Sequence, residues 1–118
     1  MGKKTFYSIS RYKDRDTDDI KIGYFKREGQ DVPNEYGLDL AVYRATDSSA
    51  ATNWKEVKTW FVVDCSCGLS IGQGSTKKEA ILNAFEKYEK VDKELYKKKV
   101  AECIRKFGPV PGHSIFYL

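Results

Sequence analysis

The sequence predicts a single two-layer α+β domain over residues 1–118, with an antiparallel sheet of four to five strands covered on one face by a long or broken C-terminal helix. Three observations predict it. Residues ahead of Cys65 alternate apolar and polar with period two, as half-buried strands do. From Ser75 onward the apolar period becomes helical. A chain of 118 residues, 41% hydrophobic and 32% charged, suits one core that buries roughly two-thirds of the unfolded surface beneath a charged exterior.

Four strands are read in order. Thr5 to Tyr12 sets Tyr7 and Ile9 on one face, and Ile20 to Lys26 aligns Ile20, Ile22 and Tyr24. Tyr36 to Ala45 groups Leu38, Leu40 and Val42, while Val57 to Cys65 groups Val57, Thr59, Phe61, Val63 and Cys65. The polar run Asp14 to Asp19, the Gly29- and Pro33-containing run Glu28 to Glu35, and Asp47 to Asn53 read as connections. Next comes Gly72 to Ala84 (GQGSTKKEAILNA), expected as a flexible glycine turn opening a helix. Thr76 and Glu79 have the spacing of a capping box. Ile81, Ala84, Phe85 and Tyr88 form one stripe, and Leu95, Tyr96, Val100, Cys103, Ile104 and Phe107 form a second, rotated stripe. The rotation implies a break near Val91 to Lys93; Gly108, with Pro109 and Pro111 behind it, ends the helix. The apolar tail Ser114 to Leu118 reads as a last strand or a docked arm.

Charge is distributed unevenly. Residues 1–50 hold nine Lys/Arg and nine Asp/Glu, whereas Thr76 to Phe107 holds ten Lys/Arg against six Asp/Glu, so the chain's excess of four lies on the helical region. No apolar run approaches the ~18 residues of a membrane span. Three cysteines, with Cys65 and Cys67 too close for an unstrained bridge along a strand, fit a reducing compartment, so a cytoplasmic protein is expected.

The candidate site is the start of the helix. Gly72 and Gly74 would let a ligand approach the backbone, Ser75 stands at the turn, and Lys77 and Lys78 add charge where a helix leaves N–H groups free. Lys97, Lys98 and Lys99 extend the basic surface, and Trp54, beside the connection, is the expected anchor for a protein partner. The spacing is neither a P-loop nor a dinucleotide fingerprint, so no nucleotide cofactor is expected. Catalysis is not expected either: His113 is the only histidine, and no nucleophile motif stands near it. Cys65, Cys67, Cys103 and His113 add up to a possible zinc set, but packed, reduced thiols are the reading adopted, with no metal.

Trp60 to Phe85 resembles the last strand, glycine turn and second helix of a double-stranded-RNA-binding domain, with Thr76, Lys77, Lys78 and Ala80 on that family's Ser-Lys-Lys-x-Ala pattern. The resemblance implies that Lys77 and Lys78 touch phosphates across a duplex groove. It covers about a quarter of the chain. The family's first helix should precede the sheet, yet Met1 to Val57 reads as strands; its Gly-Pro-His loop has counterparts, Gly108, Pro109 and His113, only after the helices. The function expected is therefore a non-enzymatic contact with nucleic acid or a nucleoprotein complex. The alternative is a protein-interaction factor of the phage- or plasmid-type inhibitor or accessory kind, acting on a host nucleoprotein.

Overall fold

The computed structural model describes residues 2–13, 16–45 and 59–108. Five antiparallel strands run in the order β1 (Lys3–Lys13), β2 (Ile20–Asp31), β3 (Leu40–Ala45), β4 (Thr59–Asp64) and β5 (Leu69–Gly74). Two helices follow, α1 (Lys77–Lys90) and α2 (Lys93–Phe107). The α+β two-layer architecture is as the sequence predicts, with all five strands in one sheet.

The strand periodicity sorts side chains onto two faces. In β3 and β4, Leu40, Val42 and Val62 point to one face, where Ile71 of β5 and Ala80 and Ala84 of α1 complete a buried cluster. Ala41, Tyr43 and Val63 point to the other, joined by Phe6 of β1 and by Cys65, with Phe61 packed alongside. Both faces of β3 are thus covered, one by α1 and the other by the β1–β2 hairpin. The hairpin reaches that position because β2 pairs with β3 only through Gln30↔Val42 and Asp31↔Ala41, whereas it pairs with β1 from Lys3↔Gln30 to Lys13↔Ile20. Once free of β3, the hairpin bends over the sheet: Phe6 meets Tyr43 edge-on at 5.6 Å, and the Ile9 amide donates to the Gly68 carbonyl at 2.8 Å.

The strands differ from expectation in places. β2 continues through Gly29 to Asp31, because its full-length pairing with β1 outweighs the low strand preference of glycine. β3 begins at Leu40 and not at Tyr36. Asn34 closes the preceding loop: its side-chain oxygen accepts from the Tyr36 and Leu38 amides, and its amide nitrogen donates to the Val32 and Leu38 carbonyls. The run expected as a flexible glycine turn is strand β5, paired with β4 from Asp64↔Leu69 to Trp60↔Gly74. Its glycines clear room for α1. A Cβ on Gly72 would lie 2.6–2.7 Å from Ala84 Cβ, Cα and N, and one on Gly74 would lie 2.7 Å from Ala80 N.

The helical region breaks where the stripes predict. Val91 ends α1, and Asp92 caps α2, its carboxylate accepting from the Leu95 amide at 3.0 Å. Thr76 caps α1 through the Glu79 amide at 3.1 Å. The reciprocal half of the capping box is redirected, since Glu79 accepts from the Ser75 hydroxyl. In α2, Cys103 and Ile104 are buried with Cys67 against Val100, Phe107, Ile9 and Leu69, while Leu95, expected in the stripe, is exposed. Gly108 terminates α2 at φ 82°, and its carbonyl accepts from the Tyr24 hydroxyl at 2.7 Å. The tail from Pro109, including His113, lies outside the described residues. Among the described residues no helix is long and apolar enough to cross a membrane.

Candidate nucleic-acid interface

The one predicted lysine that organises a surface is Lys77. The Thr76 cap directs the first turn of α1 over Gly74, and the Lys77 ammonium reaches across the sheet to donate to Gln30 Oε1 at 2.8 Å. Gln30 is a cross-strand partner of both Lys3 and Val42. One row further along the same face, Arg44, Trp60 and Gly74 are cross-strand neighbours. Lys3, Gln30, Val42, Arg44, Trp60 and Lys77 border an open groove of about 700 Å³.

Its electrostatics are one-sided. Lys3, Arg44 and Lys77, from three different elements, line the groove with Glu28 as the carboxylate among its lining residues. Lys4 also lines it, but its charge is matched within the fold by ion pairs to Asp31 at 3.1 Å and to Asp39. Partial burial opposes the charge on Lys4, and its hydrogen bonds to Asp39 and Asp31 outweigh that, raising its pKa above the ordinary lysine value. Half-buried Trp60 packs against the main core and also borders the groove. Cations from separate elements around an aromatic surface can hold phosphate oxygens while offering a base something to lie against.

The other predicted residues divide. Lys78 is exposed at the same helix start, and Ser75 is exposed with its hydroxyl directed to Glu79. Gly72 and Gly74 lie beneath Ala84 and Ala80, so close packing of α1 on β5 accounts for their lack of a side chain. Lys97, Lys98 and Lys99 sit on α2, beyond the far end of α1, which at 14 residues is about 21 Å long. They do not share the groove; Lys97 pairs with Glu94 at 3.8 Å in full solvent. Trp54 lies outside the described residues. Sequence reasoning missed Lys3, Gln30, Arg44 and Trp60. A signal for two of them existed: Arg44 and Trp60 stand in phase with Val42 and Val62, so a cation and an indole occupy core-phase positions at strand ends.

The titratable groups in the interior serve the fold. Burial pushes the Cys65 and Cys67 thiols up to about 12 and raises Cys103, which keeps them protonated and weakly nucleophilic. The fourth strand, expected through Cys65, ends at Asp64, and the ensuing turn sends the Cys65 and Cys67 thiols into different clusters. Buried Asp64 accepts from the Ser66 amide and hydroxyl through one oxygen and from the Tyr96 hydroxyl, at 2.5 Å, through the other. Among the described residues, no group of three or more His, Cys, Asp or Glu side chains is placed to hold a metal ion. No protein-family model matches this chain, and no curated protein or solved structure matches it either.

Proposed function

We propose that this chain is a non-enzymatic binding protein of a reducing, cytoplasmic compartment that contacts nucleic acid, free or within a nucleoprotein, along the groove between the hairpin and the start of α1. The observation that carries the reading is the convergence of Lys3, Arg44 and Lys77 from β1, β3 and α1 on a groove bordered by Trp60, with one carboxylate, Glu28, among them. The resemblance of the Thr76-Lys77-Lys78 start to a double-stranded-RNA-binding helix points to the same chemistry for Lys77 and adds Lys78 to it. Sequence preference is not part of the proposal, because cations meeting phosphates carry no base information.

Fluorescence anisotropy with labelled 20-nucleotide single strands and duplexes tests it. Three phosphate contacts give a logarithmic salt slope of about −2 for a single strand and about −2.7 for a duplex, so affinity falls roughly 20- to 40-fold between 50 and 200 mM salt. The double substitution Arg44→Glu/Lys77→Glu is expected to weaken binding by at least about tenfold while the fold persists. Absence of binding at 50 mM salt, or binding indifferent to salt and to these substitutions, overturns the proposal.

A further inference from the structure

We infer that a second, apolar pocket at the opposite end of α1 receives one phenylalanine- or leucine-sized side chain from an acidic segment of a protein partner. The pocket lies between β5 and the two helices. Leu69 and Ile71 of β5, Tyr88 near the end of α1, Val91 at the break, and Tyr96 and Val100 of α2 form its apolar walls, enclosing about 140 Å³. It follows from the break at Val91 and Asp92, where a straight continuation of α1 gives way to a second helix that closes the wedge's far wall. Tyr96 is held in that wall by its bond to Asp64 and by an edge-on contact with Tyr88 at 5.0 Å.

Size selects the kind of occupant. Apolar cavities of about 150 Å³ hold a benzene-sized group. Sites that enclose most of a small-molecule ligand begin at about 300 Å³. A pocket this small therefore takes one ring or one branched aliphatic group, with the rest of the bound molecule outside it, as when a partner anchors a single side chain.

Charge and position select the rest. Lys87 and Lys99 line the pocket, both are exposed, and neither joins a carboxylate in an ion pair among the described residues. They favour aspartate or glutamate beside the anchoring residue and disfavour a basic segment. β5, which contributes Leu69 to Ile71, meets β1 at its Gly68 end through the Ile9 amide, so the partner is asked only to insert one side chain between β5 and the two helices. This surface is separate from the Lys77 groove, so its test does not depend on nucleic-acid binding.

Amide chemical-shift mapping on the full chain provides that test, with a capped synthetic peptide, acetyl-Asp-Glu-Phe-Asp-Glu-amide, as probe. Saturable shifts are expected at Leu69, Ile71, Tyr88, Tyr96 and Val100, with a dissociation constant of about 1 mM or tighter. The same peptide carrying alanine in place of phenylalanine, or lysines in place of its acids, is expected to bind at least about tenfold more weakly. Lys87→Glu/Lys99→Glu, at exposed positions that leave the core untouched, should weaken the original peptide by a similar factor, and Val100→Trp should fill the pocket and abolish the shifts. No shifts, equal shifts from the alanine peptide, or binding unchanged by the charge reversal overturns the inference.

Discussion

Gly72→Ala separates the two explanations for the glycines of β5. If they exist to let α1 lie close to the sheet, one added methyl must collide with it: the new carbon would sit 2.6 Å from Ala84 Cβ and 2.7 Å from Ala84 Cα and N. The last two are backbone atoms and cannot rotate away. Overpacking of this kind costs about 1–3 kcal/mol, and the collision with main chain argues for the upper part of that range. Replacing glycine in a strand returns roughly 0.5–1 kcal/mol. A net loss of about 2 kcal/mol remains, and at about 0.25 kcal/mol per kelvin of unfolding entropy for a chain this long it lowers Tm by about 8 °C. Removing the opposing methyl should not rescue the variant. Ala84→Gly leaves the Cα and N contacts in place and adds about 1 kcal/mol of helix penalty, so the double variant is expected to be no more stable than Gly72→Ala alone. Calorimetry or urea titration, with Gly2→Ala as the unhindered control, reads the result. A Gly72→Ala protein with unchanged Tm would refute the packing account, and if it had also lost nucleic-acid binding, Gly72 would return to the ligand site.

Other consequences are equally direct. Thr76→Ala removes the acceptor for the Glu79 amide and is expected to lower stability by about 1 kcal/mol, visible as a lower urea midpoint; an unchanged midpoint means the cap is redundant. Tyr96→Phe withdraws the hydroxyl that donates to a buried Asp64 oxygen, a loss of about 1.5–3 kcal/mol with anisotropy-measured binding unchanged, and a smaller loss would show that water replaces the hydroxyl. The raised Cys65 and Cys67 values give an alkaline limit. The unfolded chain loses those protons first, so the stability they contribute is full below about pH 8.5 and falls as the pH rises toward about 12, by up to about 1.4 kcal/mol per unit per thiol. Urea midpoints at pH 8 and 10 check the sign, and native thiols should react with Ellman's reagent only after unfolding.

Much of the architecture was legible because local pattern and final contacts agree. Leu38, Leu40 and Val42 meet in one core cluster as their spacing predicts, although Leu38 precedes the strand, and the rotation between the Ile81–Tyr88 and Leu95–Phe107 stripes locates the helix break to within the residues that cap it. β5 was hidden because Gly72 and Gly74 lower strand propensity, and the reason for them lies some ten residues later, in helix positions that demand close approach. Long-range packing of that kind has no local signature. The site was half legible for a related reason. Lys77 is marked by its place at a helix start, but its neighbours Lys3, Gln30 and Arg44 belong to strands distant in sequence, which only the ladders bring together. The second face of the sheet was open in the same way: two ladder pairs between β2 and β3, invisible in composition, allow the hairpin to cover it.

That short seam has a mechanical meaning. One bank of the groove, Lys3, Glu28 and Gln30, is carried by the hairpin, and the other, Arg44, Trp60 and Lys77, by the body of the domain. A brief ladder and the Lys77–Gln30 bridge stitch the banks together at the groove, and the Lys4–Asp39 ion pair and the Phe6–Tyr43 contact tie the hairpin to the body beneath it. A polyanion lying across both would act as a clamp, adding to a ladder of two residue pairs. Its grip should register first as slower amide exchange at Gln30, Asp31, Ala41 and Val42, well before any change in global stability.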